Sequence, residues 1–161
     1  MASFTDFFEF SPQVKIKLVS SKFDDIFTPL IEKISEHNGT LDIGIYGDTL
    51  PDLNHIAIKK LYNIPSLNKP YKAISRDYES IILHNVLSLH TMPQKILELT
   101  YRSLENSAII IVLEDKSKNN AEEIKTLLDE CEFRASNIIE DLLEDYNIIV
   151  AKKMHMWGNG L

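Results

Sequence analysis

The 161-residue sequence predicts one α/β domain with a doubly wound, mostly parallel sheet closed by an antiparallel C-terminal hairpin. Three observations carry that expectation. Ile81-Ile82-Leu83 and the run from Ala108 to Leu113 are near-continuous apolar stretches, as in strands covered on both faces. Segments with helical apolar spacing alternate with strand-like ones, which implies right-handed crossovers in one sheet. The last two strand-like segments have no helix between them and should pair antiparallel.

Val14, Ile16 and Leu18 alternate with Lys15 and Lys17 in a strand-like pattern, and Phe4, Phe7, Phe8 and Phe10 suit an apolar flap laid on the body. Ser21 is a candidate cap for a helix whose buried face is Phe23, Ile26, Phe27, Leu30, Ile31 and Ile34, with Gly39 suited to the left-handed residue after it. Residues 40–48 read as a strand running into a glycine-containing turn. A helix is expected over 52–63, with Leu53, Ile56, Ala57 and Leu61 inward, and a short strand at 71–75. Tyr78 to Leu87 is the next strand. Met92 to Leu104 is the clearest helix, with Pro93 in its first turn. Residues 108–113 form a strand, 121–131 a helix, and 133–140 and 146–154 the closing strands. Residues 1–38 are read as an N-terminal extension and helix, 39–154 as the core and 155–161 as a tail.

Hydrophobic residues make up 44% and charged residues 25% of the chain, an ordinary globular composition. A net charge of -7 repels nucleic acid and anionic lipid, so neither is an expected partner. Lys15, Lys17, Lys152 and Lys153 read as solvated surface. The single cysteine, Cys131, has no disulfide or CxxC partner and reads as a small buried residue. No apolar run is long enough to span a membrane, and the N-terminus lacks a signal-peptide plan, which points to the cytoplasm. His84 and His90 are six apart, and no HExxH, cysteine cluster or EF-hand spacing occurs, so no metal is expected. Trp157, the only tryptophan, either docks on the sheet or packs on a partner subunit; together with the N-terminal aromatics it suits a homodimer.

The stretch from Tyr78-Glu79-Ser80-Ile81-Ile82-Leu83-His84-Asn85-Val86-Leu87 to Leu113-Glu114-Asp115 resembles class I S-adenosylmethionine-dependent methyltransferases. An aromatic-acidic pair leads into a buried strand, a "VL" segment follows, then a helix like Ile96 to Leu104, then a second buried strand. Glu132-Phe133 stands where that family usually has Gly-Phe before its closing hairpin. The resemblance covers residues 40–154, most specifically 76–154, and implies a Rossmann-like core of a shortened methyltransferase type. It departs in three places. Glu105-Asn106-Ser107 replaces a glycine-rich turn, with Asn106 its easy left-handed residue. Leu41-Asp42-Ile43-Gly44 matches the start of the family's first motif, but Tyr46 holds the next glycine position and Gly47 comes one residue late. No carboxylate stands in residues 61–66, where the acid that holds the ribose hydroxyls is expected. The short front half suggests that one strand–helix unit is lost or reduced.

The resemblance implies S-adenosylmethionine as cofactor and a small-molecule ligand, with Asp42, Gly44, Tyr46, Gly47 and Asp48 at the cofactor. A tyrosine at position 46 either blocks the methionine moiety or closes over it. Ligands of open parallel sheets bind beyond the carboxyl ends of the strands. That places His84, as a base, and Asn85, as an orienting group, in the same crevice, with Glu114 and Asp115 beside them; each also has a purely structural reading, as a satisfied histidine or a solvated strand end. Two functions therefore stand side by side: a small-molecule methyltransferase, and a catalytically degenerate domain serving as a binding or assembly module.

Overall fold

The computed structural model describes residues 4–47, 49–65, 69–73 and 76–154. Seven strands form one sheet: β1 (Lys15–Ser20), β2 (Thr40–Tyr46), β3 (Ile58–Ile64), β4 (Tyr78–His84), β5 (Leu104–Asp115), β6 (Arg134–Ile139) and β7 (Tyr146–Lys152). Their order is β3-β2-β1-β4-β5-β7-β6. All neighbouring pairs are parallel except those of β7, which runs antiparallel to both β5 and β6.

Three helices cover the sheet: α1 (Thr28–Glu36), α2 (Pro93–Ser103) and α3 (Ala121–Glu130). Because strand side chains alternate, the core divides into two clusters, one on each face. Leu30, Ile31 and Ile34 of α1 pack with Ile16, Leu18, Ile43, Ile82 and Leu113. Ile96 and Leu97 of α2 and Ile124 and Leu128 of α3 pack with Val19, Ile81, Leu83, Ile110 and Val112. The N-terminal phenylalanines lie on the α1 side, with the Phe4 ring 5.8 Å from Phe27 and Phe10 stacked on His37.

Several elements differ from the sequence expectation, each for a physical reason. Residues 52–63 do not form a helix. The segment around Ile58, Tyr62 and Ile64 joins the sheet edge beside β2, where ladder bonding outweighs a weak helical pattern, and Ile56 is left 91% exposed. Tyr71 to Ala73 is not a strand, and Ile74 and Ser75 lie outside the described residues. Asp24, not Ser21, caps the 3-10 turn that leads into α1, accepting from the Ile26 amide at 2.9 Å. The left-handed residue after α1 is Asn38 (φ 56°). Gly39 is needed for space instead: a Cβ there would stand 2.5 Å from the Val14 carbonyl oxygen. Ser107, not Asn106, takes the positive φ (68°) between α2 and the buried part of β5.

The larger correction concerns the front half. Residues 15–20, read as part of an N-terminal extension, form β1, between β2 and β4 in the sheet. Asp42-Ile43-Gly44 therefore belongs to the second strand and not to the first. No strand is missing. What is reduced is helix: among the described residues the connections from β2 to β3 and from β3 to β4 contain none. Lys17 and Lys153 are also not surface residues, being 2% and 4% exposed.

Candidate functional site at the strand ends

Ser20 and His84 are paired in register as the last residues of β1 and β4. Ser20 Oγ lies 2.6 Å from His84 Nδ1 and also meets the Lys22 carbonyl. A hydroxyl has one hydrogen to donate. If it goes to Lys22, Nδ1 carries the imidazole proton and Nε2 is the bare nitrogen. Nε2 is buried with no hydrogen-bond partner. The rings of Phe27 and Tyr146 stand edge-on to the imidazole at 5.2 and 4.9 Å. Burial holds the His84 pKa below the ordinary histidine value, against the opposing pull of Asp24 and Asp115. Tyr146 in turn donates to Asp24 Oδ2 at 2.6 Å. This side of the strand ends is thus a packed aromatic cluster around a neutral imidazole.

Asn85 follows β4 in the left-handed region (φ 53°), a conformation asparagine tolerates better than most residues. Its amide donates to the Leu113 carbonyl, its Oδ1 accepts from the Asp115 amide at 2.9 Å, and its Nδ2 reaches Asp115 Oδ1 at 3.3 Å. It clamps the end of β4 to the end of β5. Glu114 is fully buried, with Oε1 accepting from Asn120 at 3.2 Å and Oε2 unpartnered. Burial raises its pKa, opposed by Asn120, Ser88 and Lys118.

The opposite face of the sheet carries the residues of β2. Asp42, Gly44 and Tyr46 alternate with Leu41, Ile43 and Ile45, which belong to the α1 side. His84 packs with Phe27 on that α1 side, so the structure puts Asp42 and His84 on different faces. Asp42 and Gly44 also lie inside the strand, two and four residues after its start, and not at its carboxyl end. Asp42 Oδ2 accepts from the Tyr78 hydroxyl at 2.8 Å, while Oδ1 has no partner. Gly44 is opposite Tyr62 of β3, and a Cβ at Gly44 would stand 2.9 Å from the tyrosine Cζ and hydroxyl oxygen. Gly47 uses its conformational freedom (φ 114°) in the turn after β2. Asp48 lies outside the described residues.

Of the described residues among these, Tyr46 alone ends a strand. Its hydroxyl lies 2.7 Å from His90 Nε2 and 3.2 Å from the Lys69 carbonyl. It joins the end of β2 to the loop after β4, while β1 lies between those two strands in the sheet. The tyrosine is 6% exposed and sits in the α2–α3 core cluster with Val86 and Leu87.

Sequence reasoning passed over Ser20, Phe27 and Tyr146, which surround His84, and Lys17, whose Nζ donates to the Tyr62 hydroxyl at 2.6 Å and the Lys72 carbonyl at 2.8 Å. The signal for Lys17 was its place in the alternation of residues 14–18. A lysine between valine, isoleucine and leucine reads as solvent-facing only if that face is open, and here both faces are covered. No group of three or more potential metal-ligating side chains occurs among the described residues. None of the described helices is long and apolar enough to cross a membrane.

The strand order, the antiparallel β7 and the helices on both faces define a shortened class I methyltransferase-like fold, with no helix among the described residues of the β2–β3 and β3–β4 connections. Solved structures agree. The CurJ carbon methyltransferase superposes with TM-score 0.70 at 13% identity, over 94% of this chain and 51% of that one. An S-adenosylmethionine-dependent methyltransferase from Aquifex aeolicus gives 0.67 at 11%, over 92% and 87%. Phosphoethanolamine N-methyltransferase 2 of Haemonchus contortus, in complex with S-adenosyl-L-methionine, gives 0.66 at 8%, over 94% and 51%. The chain spans about half the length of the first and third of these. No protein-family model and no curated protein sequence matches it.

Proposed function

We propose that this chain is a binding or assembly module built on the methyltransferase fold, and not a working methyltransferase. The observation that carries this reading is the filling of the strand-end region from both faces. Phe27, His84 and Tyr146 occupy one side, and the Tyr46–His90 pair bridges the other. The connection from β1 into α1, Ser20 to Phe27, contains no glycine. Close backbone approach of a cofactor at such a turn is what glycine permits. Methyl transfer further requires an open space in which donor and acceptor align, and the packing of Phe27, His84, Tyr146 and Tyr46 at the strand ends speaks against one there.

One observation favours the competing reading, a small-molecule methyltransferase that uses S-adenosylmethionine. With β2 ending at Tyr46, Asp48 stands two residues beyond the second strand, the place where the family resemblance puts the ribose-binding carboxylate. Calorimetric titration with S-adenosylmethionine and S-adenosylhomocysteine separates the two. The module reading expects neither heat nor thermal stabilisation at millimolar ligand with the protein folded. Micromolar binding that Asp48→Asn weakens at least tenfold would replace it with the enzyme reading.

A further inference from the structure

On the α2–α3 side of the sheet, beside β3, lies a cavity of ≈ 840 Å³. It is within the size range of small-molecule sites, roughly 300–1,000 Å³. It sits where the connection from β3 to β4 supplies no described helix, and residues 69–73 form its far wall. We propose that this cavity binds a ring-bearing anion, a phosphorylated or carboxylated aromatic molecule. The proposal does not rest on the strand-end reading, because its residues are different ones.

The first argument is charge segregation. The chain carries a net charge of -7, yet Lys17, Lys59, Lys60, Lys69 and Lys72 all line this one cavity, and no aspartate or glutamate does. The four lysines other than Lys17 are exposed, and no ion pair among the described residues uses them. Lys59 and Lys60 also guard a sheet edge against pairing with another strand. Lys69 and Lys72 lie off the strand, so edge protection does not account for them.

The second argument is the wall. Tyr62, Tyr71 and Tyr78 line the cavity with Ile64 and Ala73. The Lys17 ammonium stands 4.5, 5.6 and 5.8 Å from the Tyr62, Tyr71 and Tyr78 ring centroids. An aromatic cage of this kind would suit a cationic ligand. The chain's own lysine, itself buried, already fills it, so what faces the cavity is the part-exposed Tyr62 ring beside the exposed Lys59, Lys60, Lys69 and Lys72. That pairing selects a flat anion. A long polyanion is disfavoured, because the rest of the chain is more acidic still and repels a strand that runs beyond the cavity.

The test is calorimetry with phenyl phosphate and uridine 5′-monophosphate, beside inorganic phosphate (no ring) and benzyl alcohol (no charge). The variant is Lys60→Glu/Lys69→Glu, at two exposed positions whose reversal leaves the core intact. The expected result is sub-millimolar binding of at least one ring-bearing phosphate, at least tenfold tighter than either control. The double variant weakens it more than tenfold with unchanged thermal stability. Binding of neither ring-bearing probe, equal binding of inorganic phosphate, or indifference to the double reversal would overturn the proposal. So would tighter binding of a uridine hexanucleotide than of the mononucleotide, which would make the surface a strand-binding track. Binding of S-adenosylmethionine unaffected by the double variant would leave this proposal untouched and overturn only the strand-end reading.

Discussion

His84 Nδ1 lies 2.6 Å from Ser20 Oγ across adjacent strand ends, while its Nε2 is buried without a partner. Ser20→Ala removes the hydroxyl partner of Nδ1 and leaves it the Lys22 carbonyl, and is expected to cost about 1 kcal/mol of stability, read by urea denaturation at pH 7. The pKa direction adds a pH dependence. With the folded pKa below the ordinary value of 6.5, the unfolded chain binds the proton first as pH falls. The stability this group contributes is therefore full above pH 6.5 and is lost as pH drops below it. His84→Leu should remove that loss; an unchanged acid slope in the variant would mean that His84 titrates normally.

Lys17 gives a second window, on the alkaline side. Burial lowers its pKa from 10.5 to about 8, with Asp42 the main opposing charge. Between those values the unfolded chain holds the proton and the folded chain does not, so stability contributed by this group rises with pH and falls back as pH drops through about 8. The full effect is about 3 kcal/mol. Above pH 10 the tyrosines act the other way: burial pushes the Tyr62 phenol up to about 12, and those of Tyr71 and Tyr78 are also raised. Comparing the wild type with Lys17→Met cancels the tyrosine and cysteine contributions. The difference in unfolding free energy between the two should grow in favour of the wild type from pH 8 to pH 10.

Gly39 and Gly44 should differ in their tolerance of alanine. At Gly39 an added Cβ meets backbone, the Val14 carbonyl at 2.5 Å, which cannot rotate away. At Gly44 it meets the Tyr62 ring at 2.9 Å, the outer part of a side chain. Both substitutions overpack, by roughly 1–3 kcal/mol, with Gly39→Ala the more costly. Tyr62→Leu should relieve Gly44→Ala and leave Gly39→Ala unrelieved. Chemical denaturation of the single and double variants reads this directly, and additive effects at 44 and 62 would show that the two positions do not touch.

Asn85 combines a left-handed backbone with a clamp to Asp115. Asn85→Gly keeps the first and loses the second, whereas Asn85→Ala loses both. Alanine is expected to be the less stable by about 1 kcal/mol, the cost of a Cβ in that conformation. Equal stability of the two would indicate that the strand end relaxes to negative φ.

The back half of the fold was legible because its signals are local. Ile81 to Leu83 and Ala108 to Leu113 are apolar enough to be two-sided strands in any context, and α2 and α3 carry their spacing within single helices. The seven-residue β3 was not legible, because its helical and strand patterns are close in strength and only pairing with β2 decides between them.

The candidate site divides in the same way. The sequence by itself determined the α/β class and the closing hairpin, since each follows from periodicity over a few residues, whereas it ran the strand that carries His84 on to Leu87 and the structure ends it at His84. Only the tertiary structure decided that Lys15–Ser20 lies inside the sheet, that Asp42 and His84 occupy opposite faces, and that five lysines converge on one cavity. Those relations depend on which strands become neighbours, and strand order is a property of long-range packing that no local pattern encodes.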